Sequence, residues 1–257
     1  MNRQAMVVNA DDFGLTESCT RAIAEAFRQG LISSATACAN GAAVEEAYRI
    51  AKENGFLRRV GIHINLTEGT PLTEGMKTDP FFCEGGVFRG RINRLKKPSK
   101  ETLTKLEAEV AAQIERLRAV GFPLSHADSH HHIHTSVFLI GTIEKVLKRY
   151  GILKIRLHRN LGAIRFYKKI LKNRFNKRLR KQGFSTTEKM GSLDDLKAMP
   201  EAAREHLTEI MVHPDFDRAG VLIDRVDFDA DGTPVGAPLA AILPYLENET
   251  LISYGEV

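Results

Sequence analysis

The sequence predicts an α/β fold in which parallel strands form a barrel, and three observations support this. Short β-rich runs alternate with helical stretches along the whole chain. A length of 257 residues accommodates one α/β barrel or two ordinary domains. Polar, chemically active residues follow several β-rich runs, where barrel enzymes carry their sites. Because we find no repeat beyond this alternation and no low-complexity linker, we expect one domain over residues 1–257.

The individual elements follow from capping residues and apolar spacing. Residues 6–9 form a β-rich run, and Thr16 is a good N-cap for a helix that reaches Gln29. Ser99 caps a long helix with apolar residues on one face. The remaining predictions are strands at 33–39, 59–66, 152–157, 208–212 and 251–254, helices at 44–52, 100–120, 137–150, 168–181 and 238–246, and a loop at 67–98.

A histidine-rich run, residues 126–134, is the most informative stretch. It holds five of the nine histidines together with Asp128. Imidazole nitrogen and carboxylate oxygen are common ligands of catalytic divalent metals, so the run predicts a metal or acid–base site. If the run is extended, His130 and His132 point to one face and His131 to the other. The alternative is a histidine-rich loop that binds nothing.

Acidic and histidine residues also follow three other predicted strands. Asp11 and Asp12 lie on the turn after the first strand, His63 lies on the third, and His213 follows the strand at 208–212. Of two adjacent carboxylates, one can hold a metal while the other acts as a base. The alternatives are an Asp-rich turn and a structural histidine. The repeated position at strand ends favours one shared site.

Composition limits the protein class. The longest apolar runs are too short to span a membrane, and the N-terminus turns polar too soon for a signal peptide. Three cysteines without metal-type spacing suit a reducing compartment. We therefore expect a cytoplasmic protein without a membrane span.

Two charged segments have a simple interpretation. The net charge is +5, and lysines and arginines crowd residues 168–181. This segment could be a phosphate- or membrane-facing patch, but we favour a solvated amphipathic helix with Ile170, Leu171, Phe175 and Leu179 buried. We expect no nucleic-acid partner, because no exposed aromatic residues stand among the charges.

Residues 227–232 resemble the start of a calcium loop but lack its distal Glu, so we predict an acidic turn.

Four motifs together carry a family resemblance. They are Asn9-Ala10-Asp11-Asp12-Phe13-Gly14, Gly61-Ile62-His63-Ile64-Asn65-Leu66, the Asp-Ser-His-His-His-x-His core of 126–134, and His213-Pro214. In this order they resemble the YdjC-like family of carbohydrate deacetylases, and the resemblance spans residue 6 to about 214. It implies a distorted TIM-like barrel of mainly parallel strands, related to the NodB-type polysaccharide deacetylases. It also implies an acetylated sugar as substrate and a homodimer.

The resemblance further implies a role for each motif residue. Asp12, His63 and His130 correspond to the metal ligands, Asp11 to the base and His213 to the acid. We expect five further residues to bind substrate or hydrogen-bond the ligands: Asn9, Asn65, Asp128, His132 and His134. The family suggests magnesium, whereas hydrolysis with mixed oxygen and nitrogen ligands would suit zinc or another first-row ion.

The expected reaction is removal of an N-acetyl group from an N-acetylglucosamine-containing oligosaccharide or a related acetylated glycan or glycolipid. Two alternatives remain open. His132-Ile133-His134 resembles the His-x-His of amidohydrolases and of PHP-type phosphoesterases, and a histidine-rich metal-handling protein needs neither Asp11 nor His213.

Overall fold

The computed structural model describes residues 5–93 and 96–257. In chain order its strands and helices are β1 (Met6–Phe13), α1 (Glu17–Arg28), β2 (Ser34–Ala37), α2 (Val44–Glu53), β3 (Val60–Ile64), α3 (Glu74–Lys77), β4 (Cys83–Glu84), β5 (Val87–Phe88), α4 (Lys100–Val120), β6 (Ala127–Ser129), α5 (Ile140–Arg149), α6 (Phe166–Lys181), β7 (Lys189–Ser192), α7 (Leu193–Ala198), α8 (Pro200–Arg204), β8 (Thr208–Val212), β9 (Pro214–Phe216), β10 (Leu222–Phe228), β11 (Pro234–Pro238) and α9 (Leu243–Leu246). Short 3₁₀ turns occupy Leu57–Arg59, His130–Thr135, Leu239–Ile242 and Tyr254–Glu256.

A six-stranded parallel sheet, in the order β6-β3-β2-β1-β8-β7, forms the body of the fold. Beyond β6, single parallel bridges join Ala127 to Ile155 and Lys154 to Ser185. The same segment returns to β7, where the carbonyl of Met190 accepts from the amides of residues 160 and 161. The sheet thus curls into a distorted β/α barrel, as predicted. The predicted strand 152–157 is reduced to these bridges.

The helices begin where the sequence places their caps. The Thr16 hydroxyl accepts from the Cys19 amide at the start of α1, and Ser99 accepts from the Thr102 amide at the start of α4. The apolar stripe of α4 is buried against the barrel. Every residue of β1 is buried, as expected for a central strand covered on both faces.

The chain after β8 departs from the prediction. Pro214 opens β9, which with β10 and β11 forms an antiparallel sheet in a region where the sequence analysis predicts no strand. The predicted acidic turn is present, because the Asp229 carboxylate accepts from the amides of Asp231 and Thr233. The sequence analysis did not predict the strands on either side of this turn, β10 and β11. The predicted strand 251–254 is only a bridge between Met6 and Leu251 followed by a 3₁₀ turn.

The predicted loop 67–98 also contains regular structure, namely α3 and the hairpin of β4 and β5. Its residues 94 and 95 lie outside the described residues.

Of the four α6 residues that were predicted to be buried, only two are buried in the structure. Phe175 and Leu179 are buried, but Ile170 and Leu171 are 45% and 65% exposed, so the prediction that they are buried was wrong. Only the second half of the helix packs on the body, where Arg178 donates to both Glu144 oxygens at 2.8 Å. Among the described helices, none is long and apolar enough to cross a membrane.

Candidate functional site

Neighbouring strands bring the predicted site residues together at the carboxyl edge of the sheet. His63 on β3 pairs in register with Asp128 on β6. On β1 the register shifts between Ala10 and Phe13, and Asp12 has a φ of 69°. Consecutive strand residues normally point to opposite faces, and such an irregularity re-aims a side chain. It lets Asp11 and Asp12 reach the same cavity, and aspartate tolerates the left-handed region better than most residues.

His63 is held between two carboxylates. Its Nδ1 donates to Asp128 Oδ1 at 2.6 Å and lies 3.1 Å from the Thr36 hydroxyl, while its Nε2 lies 3.3 Å from Asp12 Oδ1. Its side chain is 1% exposed. A carboxylate on one nitrogen of a histidine fixes the ring and frees the other nitrogen for a metal. This arrangement is typical of a metal-binding histidine.

His130 approaches the same carboxylate oxygen from another side. Its Nδ1 donates to Asp12 Oδ1 at 2.8 Å, and its Nε2 donates to Glu68 Oε2 at 3.1 Å. Asp12 Oδ1 is therefore flanked by one nitrogen of each imidazole. Glu68 was not predicted from the sequence. It lies at the turn after β3, which Asn65 shapes by accepting from the amides of Thr67 and Glu68.

The protonation equilibria reflect this concentration of negative charge. Burial alone would lower the pKa of His63, but the carboxylates of Asp128 and Asp11 raise it to about 10. Burial is likewise outweighed at His130, where Asp12 and Glu68 raise the pKa. The pKa of Asp12 is well below its ordinary value, because both imidazoles offset its burial. Without a metal the two rings hold protons, which a cation would have to displace.

Other donor sets also converge, but their chemistry fits a metal less well. Within 4.8 Å of one another lie the donor atoms of Asp12, Cys38 and His63, and those of Asp11, His63 and Asp128. Burial, and then the nearby Asp12, raises the pKa of Cys38 well above its ordinary value, which disfavours the thiolate that binds metals. Asp11 and Asp128 are neutralised by an arginine. His130 is in neither set, although it contacts Asp12 directly.

Arg156 neutralises Asp11. Its two terminal nitrogens donate to the two Asp11 oxygens at 2.6 Å each, one also lies 2.8 Å from Asp128 Oδ2, and its Nε donates to Glu209 at 2.6 Å. Arg156 is completely buried. Burial would raise the pKa of Asp11, but Arg156 holds it below its ordinary value. Asn9 adds a further hydrogen bond to Asp11 at 3.0 Å. Asp11 is therefore an ionised carboxylate with a fixed orientation.

His213 completes the predicted set from the opposite side. Its Nε2 lies 3.9 Å from Asp11 Oδ2, and its side chain is 29% exposed. Its backbone amide donates to Asp224 at 2.7 Å, which fixes the turn between β8 and β9. Unlike His63 and His130, His213 borders the solvent, where it can meet a substrate.

Arg225 is a second arginine that the sequence analysis missed. From β10 it donates to Asp12 Oδ2 at 2.7 Å and to Asp215 at 3.3 Å. Asp12 thus presents Oδ1 to the imidazoles while Oδ2 is held by a cation. The available signals were an arginine within the predicted strand 152–157 for Arg156, and the polar–apolar alternation of 225–228 for Arg225.

The remaining predicted residues lie around this centre rather than in it. The run 130–135 is a 3₁₀ turn with His131 and His132 in the left-handed region, so the expected extended conformation was wrong. Burial, and then Arg156, lowers the pKa of His132 to about 3. The Nδ1 of His134 lies 2.6 Å from the Ser129 hydroxyl. Its buried Nε2 has no hydrogen-bond partner among the described residues.

A cleft of about 750 Å³ opens beside the histidine turn. Its lining comes from the histidine turn and from the long loop before α4: Thr67, Gly90, Arg91, Ile92, Asn93, His131, His132 and Ile133. A cleft of this volume accommodates a small ligand. A second cleft, of about 550 Å³, lies between α1 and residues 216–222, and none of the predicted site residues lines it.

The chain is similar in sequence to a known protein family and to individual members of known function class. The model of the family described as YdjC-like protein matches residues 5–236, which extends beyond the four motifs and includes Arg225. A carbohydrate deacetylase of Vibrio campbellii is 37% identical over 147 residues, 57% of each protein. Carbohydrate deacetylase 1 of Listeria innocua is 34% identical over 164 residues, 62% of this chain and 64% of the relative. The matched region thus spans less than two thirds of these relatives.

The fold is also found in a solved structure. The crystal structure of an Enterococcus faecalis protein named for cellobiose-phosphate cleavage matches with a TM-score of 0.71 at 20% identity and covers 99% of both chains. This likeness concerns the fold alone. The family match over most of the chain establishes the relationship, and the protein belongs to the YdjC-like protein family.

Proposed function

We propose that this protein is a metal-dependent carbohydrate deacetylase. Its substrate would be an N-acetylglucosamine-containing oligosaccharide or a related acetylated glycan or glycolipid. The observation that carries the proposal is the position of Asp12 Oδ1, 3.3 Å from a His63 nitrogen and 2.8 Å from a His130 nitrogen, with the ionised Asp11 beside it. The relatives that match this chain are named carbohydrate deacetylases, which supports the substrate class.

Asp12, His63 and His130 would hold the metal. One carboxylate and two imidazoles leave open positions on a divalent ion and suit zinc or another first-row metal, while magnesium, suggested by the family, prefers oxygen. A bound divalent ion acts as a Lewis acid and lowers the pKa of water. Arg225 would keep one Asp12 oxygen engaged, so that the other faces the ion. Asp128 would orient His63 through its 2.6 Å hydrogen bond.

Asp11 and His213 would carry the protons of the reaction. Asp11 accepts a proton from the attacking water, whose oxygen forms a bond to the acetyl carbon. Arg156 keeps Asp11 ionised and fixes its orientation. His213 donates a proton to the amide nitrogen as the carbon–nitrogen bond breaks. The products are acetate and a free amino sugar.

The two alternative functions have less structural support. A catalytic His-x-His pair would need His132 and His134 in the same site. The Nδ1 of His134 instead contacts the Ser129 hydroxyl in the interior. A metal-handling protein would have no need for an ionised carboxylate held by a buried arginine.

Acetate release from a panel of N-acetylglucosamine oligosaccharides tests the proposal. We expect mass spectrometry to detect a deacetylated product with the metal-loaded wild type and none with Asp12→Ala. The matched control is His206→Ala, since His206 is 40% exposed and pairs with Glu188, which is 56% exposed. Release that is equal in Asp12→Ala and wild type would refute the proposed site.

Three further properties stay predictions: one domain over residues 1–257, a homodimer and a cytoplasmic location. Limited proteolysis tests the first, because a second domain would yield two stable fragments. Analytical ultracentrifugation tests the second, and fractionation of the native host tests the third.

A further inference from the structure

The first turns of α6 carry an apolar surface that nothing in the described chain covers. Phe166, Tyr167, Ile170 and Leu171 are 79%, 55%, 45% and 65% exposed. Single exposed apolar side chains are ordinary, but contiguous apolar patches usually mark a docking site. We call these four residues the apolar end of α6.

This apolar end points away from the protein body. With 3.6 residues per turn, its four residues fall within about 140° of the helix surface, and the middle of this arc lies about 130° from the buried Phe175 and Leu179. Further along, Arg174, Lys177 and Lys181 continue the same outward side, and with Arg178 they line one shallow depression. The outward face is therefore apolar in its first half and cationic in its second.

The charged residues of α6 are all positive. Residues 166–181 contain eight lysines and arginines and no acidic residue. Among the residues that the structure describes, only Arg178 forms an ion pair from this helix, with Glu144. Lys168 and Lys169 lie in the first turn, where a cation opposes the helix dipole. Burial, and then the charges of Arg159 and Lys168, lowers the pKa of Lys172. The helix presents an uncompensated positive surface.

The apolar end lies on the same side of the barrel as the candidate site. Helix α6 follows the bridge at Ile155, and in β/α barrels such a helix starts at the carboxyl end of the strands, where sites lie. The exposed Val137 and Phe138 follow β6 and belong to the same edge.

We propose that the outward face of α6 docks on a lipid bilayer with anionic headgroups. The apolar end would insert among the acyl chains, and the surrounding cations would contact lipid phosphates, as in interfacial amphipathic helices. Charge complementarity selects this partner. A nucleic acid would leave Ile170 and Leu171 in water, and a second copy of the helix would bring like charges together. This docking does not depend on the proposed deacetylase activity.

Sedimentation with vesicles of phosphatidylcholine, with and without phosphatidylserine, tests the apolar contribution. Each CH₂ group buried in the bilayer strengthens binding about four-fold, so Phe166→Ser/Leu171→Ser should weaken binding to anionic vesicles by at least ten-fold. The matched control is Val226→Ser, which removes a side chain that is 73% exposed on β10. This control should bind like the wild type.

The same assay tests the charges. Each cation near an anionic surface strengthens binding about five-fold, so Arg174→Gln/Lys177→Gln, on the outward face, should weaken it about 25-fold. Added salt should reduce wild-type binding, because ions screen the attraction. The matched control is Lys100→Gln, at an exposed lysine on α4. Circular dichroism should show the same melting temperature for all variants, since each change is on the surface.

Four results would overturn the inference. They are equal binding to neutral and anionic vesicles, no binding to either, unchanged vesicle binding by both double variants, and loss of folding in the surface variants. Two further results would assign the face to another partner and also reject a lipid surface. The first is oligonucleotide binding that depends on Arg174 and Lys177 but not on Leu171, without vesicle binding. The second is a dimer in ultracentrifugation that Leu171→Ser dissociates, again without vesicle binding.

Discussion

Replacing Arg156 by methionine would test whether a buried cation holds the site together. Methionine keeps most of the length and apolar volume but removes the charge. Three buried carboxylates, Asp11, Asp128 and Glu209, would then lose a partner at 2.6–2.8 Å. Removing one member of a buried ion pair costs about 3–5 kcal/mol of unfolding free energy, because the remaining charge stays buried. For a chain of this size that cost lowers the melting temperature by about 6–20 °C.

The pH dependence of this loss has a definite sign. In the wild type Arg156 depresses the pKa of Asp11, so the stabilisation is present above the unfolded-state pKa and fades as the pH falls. In Arg156→Met burial would raise the pKa of Asp11 above its unfolded value, and that of Glu209, already about 7, further. These groups then destabilise the fold as the pH rises. The deficit should therefore shrink as the pH falls from 8 to 5, by at most the whole loss of about 3–5 kcal/mol.

Chemical denaturation followed by circular dichroism at pH 8 and pH 5 measures both effects. Arg49→Met is the matched control, since Arg49 and its partner Glu53 are 58% and 56% exposed. It should cost about 1 kcal/mol or less. Adding Glu209→Gln to Arg156→Met should restore part of the stability at pH 8. A loss below about 1 kcal/mol for Arg156→Met, or one independent of pH, would refute the reasoning.

Three further predictions concern the site. Alanine should be placed singly at Asp12, His63 and His130. Each variant should lose bound metal and activity while its circular dichroism stays native. Full metal content in a variant would exclude that residue as a ligand. Asp11→Asn and His213→Ala should keep stoichiometric metal while kcat falls about 10²- to 10⁴-fold; loss of metal in either would mean that the residue is a ligand. Arg225→Met should lower metal affinity or kcat about 10- to 100-fold, measured by equilibrium dialysis and steady-state kinetics, and unchanged values would show that its contact with Asp12 is incidental.

Local sequence signals were sufficient for strands β1 to β3 and for helices α1, α2 and α4. Thr16 and Ser99 mark helix starts because a capping hydroxyl satisfies a backbone amide within three residues. The strands that carry Asp12 and His63 have apolar runs typical of central parallel strands. Their order along the chain predicts that the acidic and histidine residues lie at one edge, and in the structure His63 Nε2 lies 3.3 Å from Asp12 Oδ1.

The missed features depend on contacts between distant parts of the chain. Arg156 looks like any basic residue until the barrel closes and three carboxylates surround it. Arg225 lies in a sheet whose exposed residues lack the apolar run of a core strand. The prediction for the histidine run assumed the two-residue side-chain period of an extended strand. Two residues in the left-handed region, His131 and His132, instead make it a 3₁₀ segment. No local sequence pattern predicts a left-handed backbone conformation in residues other than glycine.

The arrangement of the two arginines constrains the order in which a growing chain can fold. Asp11 precedes its partner Arg156 by 145 residues, and Asp12 precedes Arg225 by 213. At a synthesis rate of about 5–20 residues per second, roughly 10–40 s separate Asp12 from Arg225 on the ribosome. Burying β1 earlier would enclose carboxylates without counter-charges. A nascent chain that ends before residue 156 is therefore expected to remain open, with its first strand accessible to chaperones and proteases.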